Sequence, residues 1–206
     1  RTSFDYLAIG LPLGKFGVAF GLMPYSAVGY KNESTVVNTI DTRYFKSQGN
    51  GYINKVFFGT SYAFNEKFSF GIDINYHFGD ITNEFTERIL EPDFSQYLTR
   101  ERNITQLNGI SYNLGMLYNT KINSKLTFHS SLTYSPESKL STDNSRNIAT
   151  VIYTTSGTEL SSDDVDITVP NKDLIIPSKL SLGLGLGENK KWLIGSEITF
   201  TQNKNL

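Results

Sequence analysis

Residues 65–80 read NEKFSFGIDINYHFGD, and an aromatic or branched apolar side chain occupies every second position from residue 68 to residue 78. Small or polar residues stand between them, Asp73, Asn75 and His77 included. Successive side chains of a β-strand point to opposite faces, so this stretch predicts a strand with one apolar and one polar face. A strand of a soluble sandwich shows the same pattern, and the rest of the chain must decide what the apolar face contacts.

The alternation recurs along the chain and predicts eight strands without a competing helix. The most apolar stretch, residues 7–25, has about the length of a membrane-spanning helix, but Pro12 and Lys15 lie in its middle. Alternation on both sides of this point favours two strands and a tight turn. The predicted strands cover residues 4–12, 15–23, 51–64, 67–79, 108–119, 125–135, 179–187 and 191–202.

Short and long connections alternate between these strands, which places all short turns at one edge of an antiparallel up-and-down sheet. The long connections are charged and are predicted to be irregular loops over residues 24–50, 80–107 and 136–178. This asymmetry is typical of bacterial outer-membrane barrels, whose turns are periplasmic and whose loops are extracellular. Strands of about the 9–11 residues that cross a bilayer, with Tyr and Trp near their ends, agree with it. We therefore predict one all-β domain over residues 1–206, a transmembrane antiparallel β-barrel in the outer membrane of a Gram-negative bacterium.

Composition excludes several other classes of function. The 206 residues carry a formal net charge of −1, contain no cysteine and include only two histidines. Without a basic stripe the chain is not expected to bind nucleic acid, and without cysteine it has neither disulfides nor thiolate metal ligands. We predict no metal site and no cofactor. No spacing of a nucleophile and a base is readable, so we do not expect an enzyme.

Four stretches, residues 4–30, 49–81, 108–136 and 176–200, resemble the FadL/TodX-type outer-membrane transport proteins in the divergent form of Bacteroidetes-like bacteria. GLMPYSAVGY (21–30) and GYINKVFFGTSY (51–62) are their most specific blocks. The resemblance implies a fourteen-stranded barrel with an N-terminal plug, announced by an N-P-A motif. This chain shows eight strands and no such motif, so we expect part of a longer barrel that lacks the plug region. The alternative is that eight strands close by themselves.

The resemblance also implies a function, namely passive passage of hydrophobic small molecules such as long-chain fatty acids through a plugged barrel. The expected partners are then the lipid bilayer and a hydrophobic small molecule. An alternative is a docking or accessory subunit of a protein secretion complex, which would have a protein partner. A small structural eight-stranded barrel is the other alternative.

Three sets of residues are candidates for such a function. Polar residues predicted on the lumenal face could line a ligand path, or they could simply bond one another or water. A proline after the second apolar run could kink a strand and open a lateral gap, or could end the strand. Large apolar residues of one predicted loop could contact a ligand or pack the loops together. The three sets are Asp73, Asn75, His77, His129 and Glu197; Pro24, Tyr25 and Ser26; and Phe85, Leu90, Phe94 and Leu98.

Overall fold

A computed structural model describes residues 5–90, 97–154, 156–188 and 190–203. Within these residues the chain is all-β and forms eleven antiparallel strands in one sheet. None of the described residues form a helix that is long and apolar enough to cross a membrane. The strands are β1 (Leu7–Leu13), β2 (Phe16–Val37), β3 (Thr42–Ala63), β4 (Phe68–Ile89), β5 (Leu98–Lys121), β6 (Leu126–Ser135), β7 (Ser138–Tyr153), β8 (Glu159–Thr168), β9 (Leu174–Ile176), β10 (Lys179–Glu188) and β11 (Trp192–Thr201).

The eleven strands lie along eight lines, which correspond to the eight predicted strands. The main path of the sheet is β1-β2-β3-β4-β5-β6-β10-β11. Strands β6 and β7 follow one another along the same side of β5, on either side of Pro136. Strands β10 and β9 pair in turn with β6 and β7, and β8 pairs with the outer part of β7. The predicted all-β, antiparallel up-and-down architecture is confirmed.

The predicted long loops are mostly strand, and the prediction of irregular structure there is wrong. Strands β2, β3 and β4 have 22 residues each and β5 has 24, so residues 24–50 and 80–107 are largely paired. In the same way β7, β8 and β9 occupy much of residues 136–178. Backbone hydrogen bonds to a neighbouring strand do not depend on side-chain alternation, so pairing continues where both faces become polar. Their extracellular position stays a prediction.

The sheet therefore has two parts, which we call the lower sheet and the arm. The lower sheet consists of β1, β6, β10 and β11 with the halves of β2–β5 that lie beside them. The arm consists of the remaining halves of β2–β5 together with β7, β8 and β9. Among the described residues, β1 and β11 each pair on one side only, so the sheet is not closed into a barrel. Every residue of β11 is exposed, as expected at an open edge.

A small apolar cluster, here called the apolar layer, lies between the two parts. Its buried members are Ile53, Leu107 and Leu140, with Ile81 and Ile176 packed against them. Glycines stand opposite three of these side chains across the strand ladders. Gly79 pairs with both Ile53 and Leu107, and Gly109 pairs with Leu140. The large side chains close over the glycines, which places this layer on one face of the sheet.

Candidate functional site

The lower sheet has two chemically different faces. The outer face carries apolar residues in continuous rows across neighbouring strands, for example Phe20, Phe58 and Ile74. Many of them are exposed, a distribution that water disfavours and a lipid environment accepts. The exposed residues on this face of the central strands include Phe16, Phe20, Val56, Phe58, Tyr62, Phe70, Ile72, Ile74, Ile110, Tyr112, Leu114, Leu132, Leu182 and Leu184.

The inner face of the lower sheet is lined by small residues. One row crosses all eight lines of the sheet and consists of Pro12, Gly17, Ser61, Gly71, Gly115, Thr133, Ser181 and Thr199. The part of this row from Pro12 to Thr133, with the adjacent row, forms an open trough of about 530 Å³. Of its lining residues, only Asp73 is charged. The trough lies within the size range of ligand pockets, roughly 300–1,000 Å³.

A polar network stands at the end of the trough nearest the arm and includes two of the predicted site residues, Asp73 and Asn75. The amide nitrogens of Asn75 and Asn113 both donate to Asp73 Oδ2, each at 3.1 Å. Ser135 Oγ donates to Asn113 Oδ1 at 2.5 Å. These bonds bring β4, β5 and β6 together at one point of the inner face. Their mutual hydrogen bonding matches the alternative that these residues satisfy one another.

His77 lies on the same face of β4 as Asp73 and Asn75, nearer the arm, and bonds a separate partner. Its Nε2 lies 2.8 Å from Ser111 Oγ, and the Tyr25 ring packs edge-on at 4.6 Å. Asn75 and His77 are only 1% and 2% exposed. Asn75 Oδ1 and His77 Nδ1 are buried and have no hydrogen-bond partner among the described residues. Most buried polar atoms in folded proteins have a hydrogen-bond partner, so these two atoms are exceptions.

His129 and Glu197 lie elsewhere on the inner face. They line a second depression of about 340 Å³ near the β6–β10–β11 edge. His129 Nδ1 donates to Asn119 Oδ1 at 2.7 Å, and Glu197 accepts from Thr199 Oγ1 at 3.2 Å. The five predicted lumenal residues thus form two separate groups, and a single ligand path through them stays a prediction.

The predicted interruption at Pro24, Tyr25 and Ser26 is a β-bulge. Pro24 pairs with Asn54 and Ser26 with Ile53, so Tyr25 is the extra residue on β2. The strand does not end here, as one interpretation of the proline predicted, but continues to Val37. Pro24 is tolerated because β1 pairs with β2 only as far as Leu22, which leaves that edge without a ladder. The bulge aims the Tyr25 ring at His77, while a lateral gap stays a prediction.

The arm is held by ion pairs and hydrogen bonds on both faces. On one face Glu84 accepts from Gln48 and Arg102, each at 2.9 Å. On the other face Arg146 pairs with Glu101 at 2.9 Å. The hydrogen bond from the Asn103 amide, followed by Arg146, lowers the pKa of the Glu101 carboxyl. These contacts join β3, β4, β5 and β7 into one sheet.

Arg100 is the most buried charged side chain described in the arm, at 5% exposure. It pairs with Glu159 at the start of β8 and donates to Asn147 Oδ1 at 2.8 Å. Tyr153 Oη also donates to Glu159, at 3.1 Å. Sequence analysis missed this cluster, because Arg100 and Glu159 are 59 positions apart and neither lies in an alternating stretch.

The predicted loop contacts lie on or beside the arm. Phe85 belongs to β4, is exposed and stacks on Phe45 with ring centroids 5.9 Å apart. Leu90 follows β4 and Leu98 begins β5. Phe94 lies outside the described residues. Two apolar residues at the arm tip between β2 and β3 are more exposed than Phe85 and Leu90, since Ile40 is 93% exposed and Val37 77%.

An antiparallel up-and-down sheet with an exposed apolar outer face and a small, polar inner face is consistent with the class of β-barrel-like proteins, and this geometry is compatible with an outer-membrane or envelope location. Within that class the chain belongs to the BamG family, whose model matches residues 1–206. The family name is tied to the BAM outer-membrane barrel-assembly complex. Searches of curated proteins and of solved structures found no match.

The family corrects the resemblance drawn from the sequence. The FadL/TodX assignment is wrong, because the matching family is BamG and no FadL family matches. The stretches that suggested it are mostly amphipathic strands, and such alternation is shared by barrels of any function. The resemblance was the only basis for three further expectations, namely the fourteen-stranded barrel, the plug and the fatty-acid cargo. Without it, none of the three is supported.

Proposed function

We propose that this chain is an accessory subunit of an outer-membrane barrel-assembly complex. The lower sheet anchors it in the outer membrane, and the arm docks a protein partner of that complex. It carries out no catalysis of its own. Membership of the BamG family supports the assignment.

The observation that carries the proposal is the length of the paired strands. About 9–11 tilted residues cross the hydrocarbon layer of a bilayer. Strands of 22–24 residues are about twice that length, and at roughly 3.3 Å per residue they extend about 70–80 Å. A channel needs only strands long enough to cross the bilayer, joined by flexible loops. The arm, in contrast, is held by ion pairs and hydrogen bonds between its strands and presents a fixed surface. That surface suits binding of a protein.

The open edges at β1 and β11 in the described residues speak against the small structural eight-stranded barrel. Passage of a hydrophobic compound has less support, since the name of the matching family is tied to barrel assembly and not to transport.

Co-purification of the tagged full-length chain from native outer membrane tests this function. The decisive variant is Ile40→Ser at the arm tip, and Ile122→Ser is its matched control. Ile122 is an exposed isoleucine, 58% accessible, in the short turn at the opposite end of the sheet. Burying an isoleucine contributes roughly 1.5–3 kcal/mol, so Ile40→Ser is expected to lower retention of barrel-assembly subunits about 10- to 100-fold.

Three outcomes would contradict the proposal. The wild-type chain could purify without any barrel-assembly subunit, or the Ile122→Ser variant could lose them as readily as Ile40→Ser. Deleting the chain could also reduce uptake of a labelled fatty acid while outer-membrane protein levels stay constant, which would indicate transport.

A further inference from the structure

The arm has a long free edge along β2. Residues 16–22 of this strand pair with β1 on one side and with β3 on the other, whereas among the described residues 26–37 pair with β3 alone. Residues 29–37 are all exposed. Pro24 has no N–H, and the bulge at Tyr25 shifts the register, so the ladder of β1 does not continue along this edge. The arm therefore offers an unpaired strand to another polypeptide.

Alternate residues of this edge direct their backbone groups away from the sheet. The Asn38 backbone N–H donates to the Asp41 carbonyl oxygen at 2.8 Å, so these two residues form a hydrogen-bonded pair at the end of the β2–β3 ladder. Hydrogen-bonded and non-hydrogen-bonded pairs alternate along an antiparallel ladder, and residues in the second kind of pair point their N–H and C=O groups outward. On the exposed part of β2 these residues are Gly29, Lys31, Glu33, Thr35 and Val37. An extended polypeptide, which offers donors and acceptors in turn, matches this pattern.

The opposite edge of the arm, β8, has features that prevent pairing, whereas the β2 edge lacks them. Strand β8 contains three aspartates and a bulge opposite Ala149, where Asp163 has φ 50°. Charges and bulges are two means by which edge strands avoid pairing with another chain. The β2 edge has neither a bulge nor a proline over residues 26–37, and its two charges, Lys31 and Glu33, pair with each other at 2.7 Å. The β2 edge is therefore the one suited to a partner strand.

We propose that the β2 edge over residues 26–37 binds an extended segment of a protein partner, which adds one strand to the arm. The main chain of the segment bonds the outward N–H and C=O groups and supplies the affinity. Val36 and Val37 expose apolar side chains near the arm tip, so the segment carries apolar residues there. Beside the ion pair of Lys31 and Glu33 it carries polar residues. This inference rests on the proposed function and names how the arm binds its partner.

Photocrosslinking in native membranes compares the two edges of the arm. A benzophenone amino acid replaces Asn32 on the β2 edge or Ser162 on the β8 edge of the full chain, both of them exposed. Mass spectrometry identifies the product. We expect a peptide of a barrel-assembly subunit from position 32 and none from position 162. Equal yields at both positions, a product formed only with lipid or with this same chain, or no product would overturn the proposal.

Removal of one outward N–H provides the matched perturbation. Proline is tolerated at an edge position whose N–H points away from the sheet, so Thr35→Pro is expected to leave the guanidinium unfolding midpoint unchanged. It is expected to lower the crosslink yield from position 32 about tenfold, since the partner strand loses a hydrogen bond and meets the proline ring. The control is Ser161→Pro on β8. Thr154 N–H donates to the Thr158 carbonyl oxygen, which by the same alternation points the Ser161 N–H outward.

An unchanged yield in folded Thr35→Pro, or an equal loss in Ser161→Pro, would overturn the proposal. If Thr35→Pro does not fold, the comparison of positions 32 and 162 in the otherwise unchanged chain decides. Retention of barrel-assembly subunits by the wild-type chain is measured in parallel. Its absence would refute the proposed function, whereas retention without a product from position 32 would refute this inference alone.

Discussion

Replacing Gly79 by alanine is expected to destabilise the whole sheet at the apolar layer. Gly79 has φ 153°, in the range that side chains rarely adopt, and a Cβ there would lie 2.0 Å from the Tyr52 carbonyl oxygen and 2.9 Å from Ile53 Cα. A non-glycine residue held in such a conformation costs of order 1–3 kcal/mol. The overlap with the backbone adds the cost of separating β3 from β4, so we expect a loss of at least about 3 kcal/mol.

The matched control is Gly71→Ala in the same strand. Its Cβ would meet nothing closer than 3.5 Å, so alanine is expected to stabilise the strand by about 0.4–1 kcal/mol through the unfolded chain. Guanidinium unfolding in detergent micelles measures both variants, followed by the fluorescence of Trp192, the only tryptophan. Equal unfolding midpoints for the two variants would refute this prediction, because they would mean that a Cβ at position 79 does not clash with the backbone of β3.

Two further predictions concern the arm. Arg100→Ala is expected to lower the free energy of unfolding by about 2–3 kcal/mol, because Glu159 and Asn147 lose the guanidinium group that donates to them. Arg102 is more exposed, so Arg102→Ala is expected to cost under about 1 kcal/mol. Equal losses in a guanidinium titration would show that burial of Arg100 contributes nothing. Glu101, whose pKa is lowered in the folded arm, contributes stability above the pKa of an unfolded glutamate and loses it as pH falls through its own lower value. The protection of the β5 and β7 amides against hydrogen exchange, corrected for the pH dependence of the intrinsic rate, is therefore expected to fall with acid, less so in Glu101→Gln, and an equal fall in both would contradict the assignment.

The lower sheet could be predicted from sequence because one of its faces is apolar. The alternation around Phe70, Ile72 and Ile74 places their side chains on the exposed outer face and puts Asp73 on the inner face, as the structure shows. In the arm both faces are polar: Lys31 and Glu33 pair on one face, and Asn32 lies between them. Period-two alternation then vanishes, although the backbone remains paired. The arm was therefore missed as strand.

The contacts of the site were less predictable than the faces on which its residues lie. Asp73, Asn75 and His77 share one strand, so their common face follows from spacing alone. Their partners Asn113 and Ser111 come from β5, and the choice between them depends on the register of the two strands. Gly79 gave no signal in the sequence, since a glycine that accommodates two large neighbours looks the same as one in a turn. Register and close approach are properties of the assembled sheet.

The continuous ladder from the lower sheet into the arm has a mechanical consequence. Strands β3, β4 and β5 pair through the apolar layer without a register shift between β3 and β4 or between β4 and β5. We expect these three strands to move as one rigid unit, so a force applied at the arm tip is transmitted to the lower end of the sheet. On either side of this unit the strands are interrupted, at the bulge of Tyr25 on β2 and at Pro136 between β6 and β7. A force on the arm would therefore tilt β3, β4 and β5 together, and the bending would occur mainly at Tyr25 and Pro136.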